Sequence, residues 1–312
     1  MSDTTASLRR KLDSAGNLDS VVRAMKAMAA SSIGRYESAV RSLDDYYRTV
    51  RLGLFACFRH VEPPAATTRV GQKDAGAIGA VVFGSDQGLV GQFNDVMVEL
   101  VVSTLGALPG KKAVWAIGEH IQSRLADSGL PPEQRFILPN SIGAITPMVG
   151  QVLIAMEAKR EKGELAQVYL FHNRPRSGAT YAPVSQRLLP LDDLWRRDLA
   201  ATRWPTGNLP EVMYGGEGAL PALVREYVFV SLFRACAESL ASENASRLAA
   251  MQRAESNIND LLEDLNVAFH RLRQNVIDEE LFDVVAGFEA LALPARRGHA
   301  GQCEGLANRD AT

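Results

Sequence analysis

Proline divides this chain of 312 residues into three segments. Thirteen of the 14 prolines lie between Pro63 and Pro221, and the remaining one is Pro294. Because a proline in a helix interior costs about 3 kcal/mol, long helices are favoured only outside the proline-rich centre. We therefore predict two long helical arms, one before Pro63 and one after Pro221, with a domain of shorter elements between them.

The first arm carries one apolar stripe with steps of three and four residues, which is the period of an α-helix. The stripe consists of Leu18, Val22, Met25, Ala29, Ser32, Tyr36, Val40, Leu43, Tyr47, Val50 and Leu54. A single helix over residues 5–58 would be about 80 Å long at 1.5 Å per residue. A helix of that length needs a partner helix that covers its stripe.

The last arm supplies such a partner, because it carries a heptad seam. The seam consists of Met251, Ala254, Ile258, Leu261, Leu265, Ala268 and Leu272, and it extends less regularly upstream through Val230, Phe233, Ala237, Leu240 and Leu248. The first arm has ten basic against six acidic residues, and residues 222–293 have six against twelve, so the arms attract each other. We predict a long antiparallel coiled coil; the alternative is two separate amphipathic helices on a globular core.

The central segment alternates between strand and helix patterns, which is typical of an α/β domain with a mainly parallel sheet. The predicted strands are 77–83, 111–118, 135–138, 165–173 and 180–190, and the predicted helices are 94–105, 119–128 and 147–163, the last with Pro147 at its start. Residues 191–220 are interpreted as a return path. The predicted domains are 1–60, 61–210 and 211–293, followed by a disordered tail, 294–312.

Composition excludes several classes of function. A net charge of −2 does not favour a nucleic-acid partner, and no apolar run approaches the ~20 residues of a membrane span. The three cysteines are far apart, which fits a reducing compartment and no disulfide framework. The five histidines form no metal-ligand spacing with other residues, so we expect neither a metal nor a cofactor.

The stretch SDQGLVGQFN, residues 85–94, is the one motif with a catalytic appearance. Glycines between a strand and a helix often bind phosphate. However, the stretch lacks the Lys-Ser/Thr of a phosphate-binding loop, and Gly84, Gly88 and Gly91 do not have dinucleotide-binding spacing. The residues therefore favour a structural turn, with a nucleotide site as the alternative.

Three blocks resemble the gamma subunit of F-type ATP synthases. They are VVRAMKAMAASSIGRYESA at 21–39, SDQGLVGQFN at 85–94, and LASENASRLAAMQRAESNINDLLEDLNVAFHRLRQNVIDEEL at 240–281. The blocks occur in the order of that family and cover most of the chain. The resemblance implies a long antiparallel coiled coil of the N- and C-terminal helices with an inserted Rossmann-like α/β domain.

The resemblance also implies a function. The chain would be a non-catalytic rotor that couples ion flow through a membrane c-ring to ATP synthesis or hydrolysis in a ring of three alpha and three beta subunits, with an epsilon subunit at its base. The complex would lie on the cytoplasmic face of a prokaryotic inner membrane. The alternatives are a coiled-coil scaffold protein and a stand-alone nucleotide-binding enzyme.

Site residues follow from the matching motifs. Arg273 and Gln274 would meet a catch loop of the beta subunit, while Met25, with Arg23 and Lys26, would meet its acidic lever. The membrane-ring foot would include Tyr214 and Glu217, and the turn of the body domain would use Gly88, Gly91 and Asn94. Departures from the family pattern, among them Lys26, Val90 and Asp278, resemble the alternate, sodium-type branch.

Overall fold

The computed structural model describes residues 4–60, 76–176, 180–191, 193–201, 204–208, 211–212 and 218–292. The predicted tail, 294–312, and the foot residues Tyr214 and Glu217 lie outside the described residues. The chain divides into two compact units. The smaller contains Met1–Val22 and Ala254–Thr312, and the larger contains Arg23–Arg253.

The described residues form six helices and five strands. The helices are α1 (Thr5–His60), α2 (Phe93–Gly106), α3 (Glu119–Asp127), α4 (Ile142–Glu161), α5 (Asp193–Ala200) and α6 (Ala219–Ala292). The strands are β1 (Ala77–Phe83), β2 (Lys112–Ile117), β3 (Gln134–Phe136), β4 (Leu165–Arg176) and β5 (Thr180–Leu189). Each proline-poor arm thus forms one unbroken helix, as the proline distribution predicts.

The five strands form one sheet in the order β3-β2-β1-β4-β5. Strand β1 is parallel to both β2 and β4, and β3 is parallel to β2, whereas β5 pairs antiparallel with β4. The short connection from β4 to β5 explains the antiparallel pair, because parallel neighbours need a crossover of a dozen or more residues. The predicted fold class, an α/β domain with a mainly parallel sheet between two long helices, is confirmed.

Side chains alternate between the two faces of the sheet because successive residues of a strand point in opposite directions. Ile78, Ala80 and Val82 of β1 pack in one core with residues of α2 and α3. Val81 and Phe83 belong to the other core, which includes residues of α1, α4 and α6. The sheet is therefore covered by helices on both faces, as parallel strands require.

Within the larger unit, α1 and α6 pack in antiparallel orientation. Asp44 is 3.2 Å from Arg234, and the rings of Tyr47 and Tyr227 have centroids 5.9 Å apart. Further along α1, Gly53 lies against Leu223, which is earlier in α6. The residue number in α6 falls as that in α1 rises, so the helices run in opposite directions, as the fold prediction requires.

Two parts of the predicted apolar seams are wrong within the smaller unit. Leu18 is 57% exposed, and the neighbouring Asp19 is buried in its place. In α6, Leu261 is 49% exposed while Leu262 is half-buried; Leu265 is half-buried as predicted, but Phe269 is half-buried rather than Ala268. The contact face shifts by one residue between Ala254 and Leu262, because an α-helix drifts by about 20° per heptad against a strict seven-residue repeat.

Two predictions in the central segment also need correction. Helix α4 begins at Ile142, so Pro147 lies inside the helix and not at its start. Pro147 lacks only the N–H that would bond to the carbonyl of Gly143, and the helix continues past it. Residues 191–220, interpreted as a return path, contain the amphipathic helix α5.

Gly84 tests how tightly the sheet packs on α3. A Cβ added there would lie 2.2 Å from Cβ of Ile121 and 2.8 Å from Oδ1 of Asn94. We expect Gly84→Ala to lower the free energy of unfolding by about 1–3 kcal/mol through overpacking. Gly150→Ala, inside α4 with no heavy atom within 4 Å, is the matched control and should raise it by roughly 0.5–1 kcal/mol. Urea unfolding of the purified chain measures both; equal effects would contradict the packing argument.

Candidate functional site

The turn at residues 84–92 follows β1 at the carboxyl edge of the parallel strands. In the sheet order, β1 lies between β2 and β4, so the chain reverses its winding direction at β1 and β4. Open α/β sheets bind their ligands in the crevice outside this point. The turn is therefore where a nucleotide site would lie, and its contacts decide between the two interpretations of the motif.

Asn94 closes the turn from inside. Its Oδ1 accepts a hydrogen bond from the backbone N–H of Ser85 at 3.0 Å, and its Nδ2 donates to Oγ of Ser85 at 2.8 Å. The Ser85 hydroxyl donates in turn to the carbonyl of Gln87 at 2.9 Å. Ser85 and Asn94 are buried, so each of these bonds satisfies a group that water cannot reach.

The side chain of Asp86 caps the N-terminus of α3. Its Oδ1 accepts a hydrogen bond from the backbone N–H of Glu119, the first residue of that helix, at 2.9 Å. The next N–H, that of His120, donates to the carbonyl of Ser85 at 2.9 Å. A carboxylate thus satisfies the helix N-terminus, where the helix dipole favours negative charge.

Helix α6 occupies the crevice between the ends of β1 and β4. The Ser246 hydroxyl donates to the carbonyl of Val90 in the turn at 2.5 Å, and the Ser242 hydroxyl donates to the carbonyl of Asn173 in β4 at 3.0 Å. Asn173 also joins β4 to the start of α2, because its Nδ2 donates to the carbonyl of Phe93 at 3.1 Å. The turn is therefore a docking surface for α6.

The glycines of the turn have different roles. Gly91 has φ +57°, a left-handed conformation that glycine adopts readily, and it faces Ser246 and Arg253 of α6. Gly88 has no positive φ, and a Cβ there would meet only His120 at 3.9 Å. Leu89 has φ +61° and a side chain that is 62% exposed. Of the two predicted glycines, Gly91 is the one that the backbone requires.

A buried carboxylate of α6 lies near the turn. Glu243 is only 4% exposed, and its Oε1 accepts a hydrogen bond from Nη2 of Arg247 at 2.7 Å. Burial raises the pKa of Glu243 to about 6, with a further contribution from the charge of Asp86, although Arg247 opposes the shift. The charge of the Glu243 carboxylate beside Arg247 therefore depends on pH near neutrality.

Sequence reasoning missed a row of polar residues on α6. Arg234, Glu238, Ser242 and Ser246 are each four residues apart, so they follow one ridge of the helix. The row was hidden because the apolar seam beside it was taken as the only buried part of this helix. The i+4 repeat of residues able to hydrogen-bond was the available signal.

The predicted beta-subunit contacts lie in different units. Met25 and Lys26 are half-buried and Arg23 is exposed on α1 in the larger unit, whereas Arg273 and Gln274 are exposed on α6 in the smaller one. Their roles stay predictions. Among the described residues, no cluster of histidine, cysteine or acidic side chains is arranged to hold a metal ion, and no helix is both long and apolar enough to cross a bilayer.

Together, the fold and the site define a class of protein: two long antiparallel helices that carry an α/β domain whose ligand crevice is occupied by one of them. The family model described as ATP synthase matches residues 4–291. The chain therefore belongs to this family.

Relatives agree with that assignment. The ATP synthase gamma chain of Polynucleobacter necessarius is 26% identical over 293 residues, which cover 92% of this chain and 99% of the relative. That of Ralstonia nicotianae is also 26% identical, over 294 residues, with the same coverage. The predicted resemblance to gamma subunits is confirmed.

Solved structures share the fold. One is a chain of the Euglena gracilis mitochondrial ATP synthase, in the assembly of OSCP, F1 and c-ring. Its TM-score is 0.64 at 15% identity, and the match covers 99% of each of the two chains. A chain of the central stalk and c-ring of the Tetrahymena thermophila mitochondrial enzyme has a TM-score of 0.53 at 23% identity, over 75% of this chain and 99% of that one.

The two glycines of the turn give a matched test. Gly91→Ala should lower the free energy of unfolding by about 1–2 kcal/mol, because an L-residue at a left-handed position is strained. Gly88→Ala should change it by less than about 0.5 kcal/mol. Chemical unfolding of both variants checks this; an equal loss in the two would mean that the backbone conformation of Gly91 is not what constrains the turn.

Glu243 predicts a pH dependence of stability. Because its native pKa, about 6, is above the ordinary value of 4.5, its contribution to stability is complete below pH 4.5 and is lost as the pH rises through 6. Glu243→Gln stays neutral, so its stability relative to the wild type should improve by about 2 kcal/mol between pH 4.5 and pH 8. The exposed Glu99→Gln is the control; equal pH profiles for all three proteins would refute the shift.

Proposed function

We propose that this gamma subunit is the rotor of an F-type ATP synthase. Its turning would favour different conformations at successive catalytic sites of the surrounding ring, which is a population shift by differential contact. The observation that carries this proposal is the position of α6 in the crevice of the sheet. Because α6 docks in that crevice, the α/β domain serves as a body attached to the long helices. ATP chemistry belongs to the partner subunits.

The proposed partners are three alpha and three beta subunits around the long helices, with an epsilon subunit and a membrane c-ring at the body. The relatives, which are ATP synthase gamma chains, support the subunit assignment, and the similar structures, which belong to assemblies with F1, the c-ring and the central stalk, support the assembly. Opposite charge on the two arms also suits two helices that stay paired while surrounded by other subunits.

Arg273 and Gln274 are proposed to bind a catch loop of the beta subunit. Both side chains are exposed on α6, so they are available to a partner. The planar guanidinium of arginine makes charge-assisted, bidentate hydrogen bonds to carboxylates, and glutamine adds both a donor and an acceptor. Such directional contacts can form in one orientation of a rotor and be absent in another.

The second proposed contact is the acidic lever of the beta subunit. Met25 would pack against it, with Arg23 and Lys26 as cationic neighbours, while Tyr214 and Glu217 would meet the membrane ring. We further propose that the complex lies on the cytoplasmic face of a prokaryotic inner membrane, which the bacterial relatives support. We also propose that the chain belongs to the sodium-type branch, because it departs from the family pattern at Lys26, Val90 and Asp278.

Purification of the complex tests the proposed function. A tagged chain, isolated from its native membranes and analysed by native mass spectrometry, should carry three alpha and three beta subunits and hydrolyse ATP. In that complex, Arg273→Ala with Gln274→Ala should lower ATPase turnover about tenfold, equivalent to roughly 1.4 kcal/mol at the transition state. The isolated chain should keep its circular dichroism spectrum, because both side chains are exposed.

A matched control is the pair of neighbouring residues Gln252 and Arg253. Like Arg273 and Gln274, it consists of one glutamine and one arginine that are exposed on α6. Its double alanine variant should retain most of the turnover. Full turnover with Arg273 and Gln274 replaced would remove their role and leave the rotor proposal standing. Recovery of the chain alone or as a homo-oligomer would instead favour a coiled-coil scaffold.

A further inference from the structure

The polar row of α6, which consists of Arg234, Glu238, Ser242 and Ser246, joins this helix to three other parts of the larger unit. Ser242 and Ser246 donate to the end of β4 and to the turn after β1. Glu238 contacts the side chains of β4, and Arg234 contacts α1. Every residue of the row thus makes a directional contact outside its own helix, over three turns.

Glu238 is the centre of the row. Its side chain is 5% exposed, and its Oε2 accepts from Nε2 of His172 at 2.7 Å and from Nε of Arg174 at 3.0 Å. Its Oε1 accepts from Nε of Arg234 at 2.8 Å. Burial alone would raise the pKa of Glu238, but the donors and the arginine charges outweigh it and lower the pKa. The carboxylate is therefore ionised and held by three donors.

Arg234 extends this network to the other long helix. Its Nη1 lies 3.2 Å from Oδ1 of Asp44 in α1, and its guanidinium lies 5.6 Å from the centre of the Tyr47 ring. His172 is 2% exposed, and burial lowers its pKa, so at neutral pH it acts as an uncharged donor. One network of hydrogen bonds and ion pairs therefore connects the sheet, α6 and α1.

Packing and hydrogen bonding resist motion in different ways. Apolar contacts are non-directional, so two packed surfaces can shift against each other at modest cost. A buried carboxylate that loses its donors is left as an uncompensated charge, which is strongly unfavourable, so the network resists any rotation of α6 against the sheet. Because its desolvation is expensive, such a network fixes geometry more than it adds stability.

We propose that the polar row of α6, centred on the Glu238–His172 pair, is a torsional lock that transmits torque between the α/β body and the two long helices. This inference rests on the proposed rotor function. It assigns His172 and Glu238 as positioning residues, which do not themselves contact substrate. In the absence of the lock, the body would still be attached but would twist more freely about α6.

Two replacements of His172 separate the hydrogen bond from packing. His172→Leu keeps a side chain of similar size but removes the donor to Glu238, whereas His172→Gln keeps an amide donor. The measurement uses the assembled complex with a probe on a cysteine introduced at Val102, in a Cys303→Ser background. The ring of alpha and beta subunits is immobilised and holds the long helices, so the probe reports the angular fluctuation of the α/β domain. We expect about twofold larger angular variance for His172→Leu and for Glu238→Gln, because a buried bond is lost while packing remains.

His172→Gln and the exposed Glu99→Gln should match the wild type. Equal variance in His172→Leu, Glu238→Gln and the wild type would overturn the lock. If His172→Leu fails to fold, as judged by thermal melting of the isolated chain, Ser242→Ala, which removes one hydroxyl of the row, should still raise the variance. Failure of the wild-type chain to assemble with alpha and beta subunits would refute the rotor function instead, so the two failures are distinguishable.

Discussion

The packing of α6 against the end of the sheet is the constraint on which the rest of the larger unit depends. Between Tyr227 and Ser246 this helix is buried or half-buried at every position. Ala235, Cys236, Ala237 and Ala241 keep its surface small, so the sheet and neighbouring helices can approach closely. A helix that is covered on all sides has no solvent-facing side for its polar groups, so a partner within the protein, as Glu238, Ser242 and Ser246 have, offsets the cost of burying them.

That requirement explains the glycine turn after β1. The turn offers a carbonyl to Ser246, and it can do so because Gly91 adopts a left-handed conformation and Asn94 fixes Ser85. Asp86 satisfies the N-terminus of α3 from the same turn. A motif with the position of a nucleotide-binding loop thus bonds to its own chain, and its departures from the phosphate-binding pattern are the residues that make these bonds.

Sequence patterns predicted the long helices and the strands well because proline and apolar periodicity act locally. They failed where the choice depended on a partner. Leu261 and Leu262 are equally apolar, and only the direction of the contact face decides that Leu262 is the more covered. Asp19 is buried where the stripe placed Leu18, and a charged residue gives no local signal of that position.

The candidate site was predictable in part. The residues favoured a structural turn over a nucleotide site, but the object that the turn contacts lies more than 150 positions later in the chain. Glu238 and Ser242 were absent from the predictions because polar residues within a helical pattern are usually assigned to solvent. A buried carboxylate becomes acceptable only when His172, Arg174 and Arg234 converge on it, and convergence is a property of the fold.

The spacing of the polar row also determines how it would fail. Residues four apart on a helix differ in direction by about 40°, so the row follows a ridge that winds slowly around α6, and a rotation of α6 about its own axis displaces all its contacts at once. The hydrogen bonds of Glu238, Ser242 and Ser246 would therefore lengthen together, and the resistance of the row is that of all its bonds at once. A row opposed by the strand end and the turn keeps the helix and the sheet in one angular register under load.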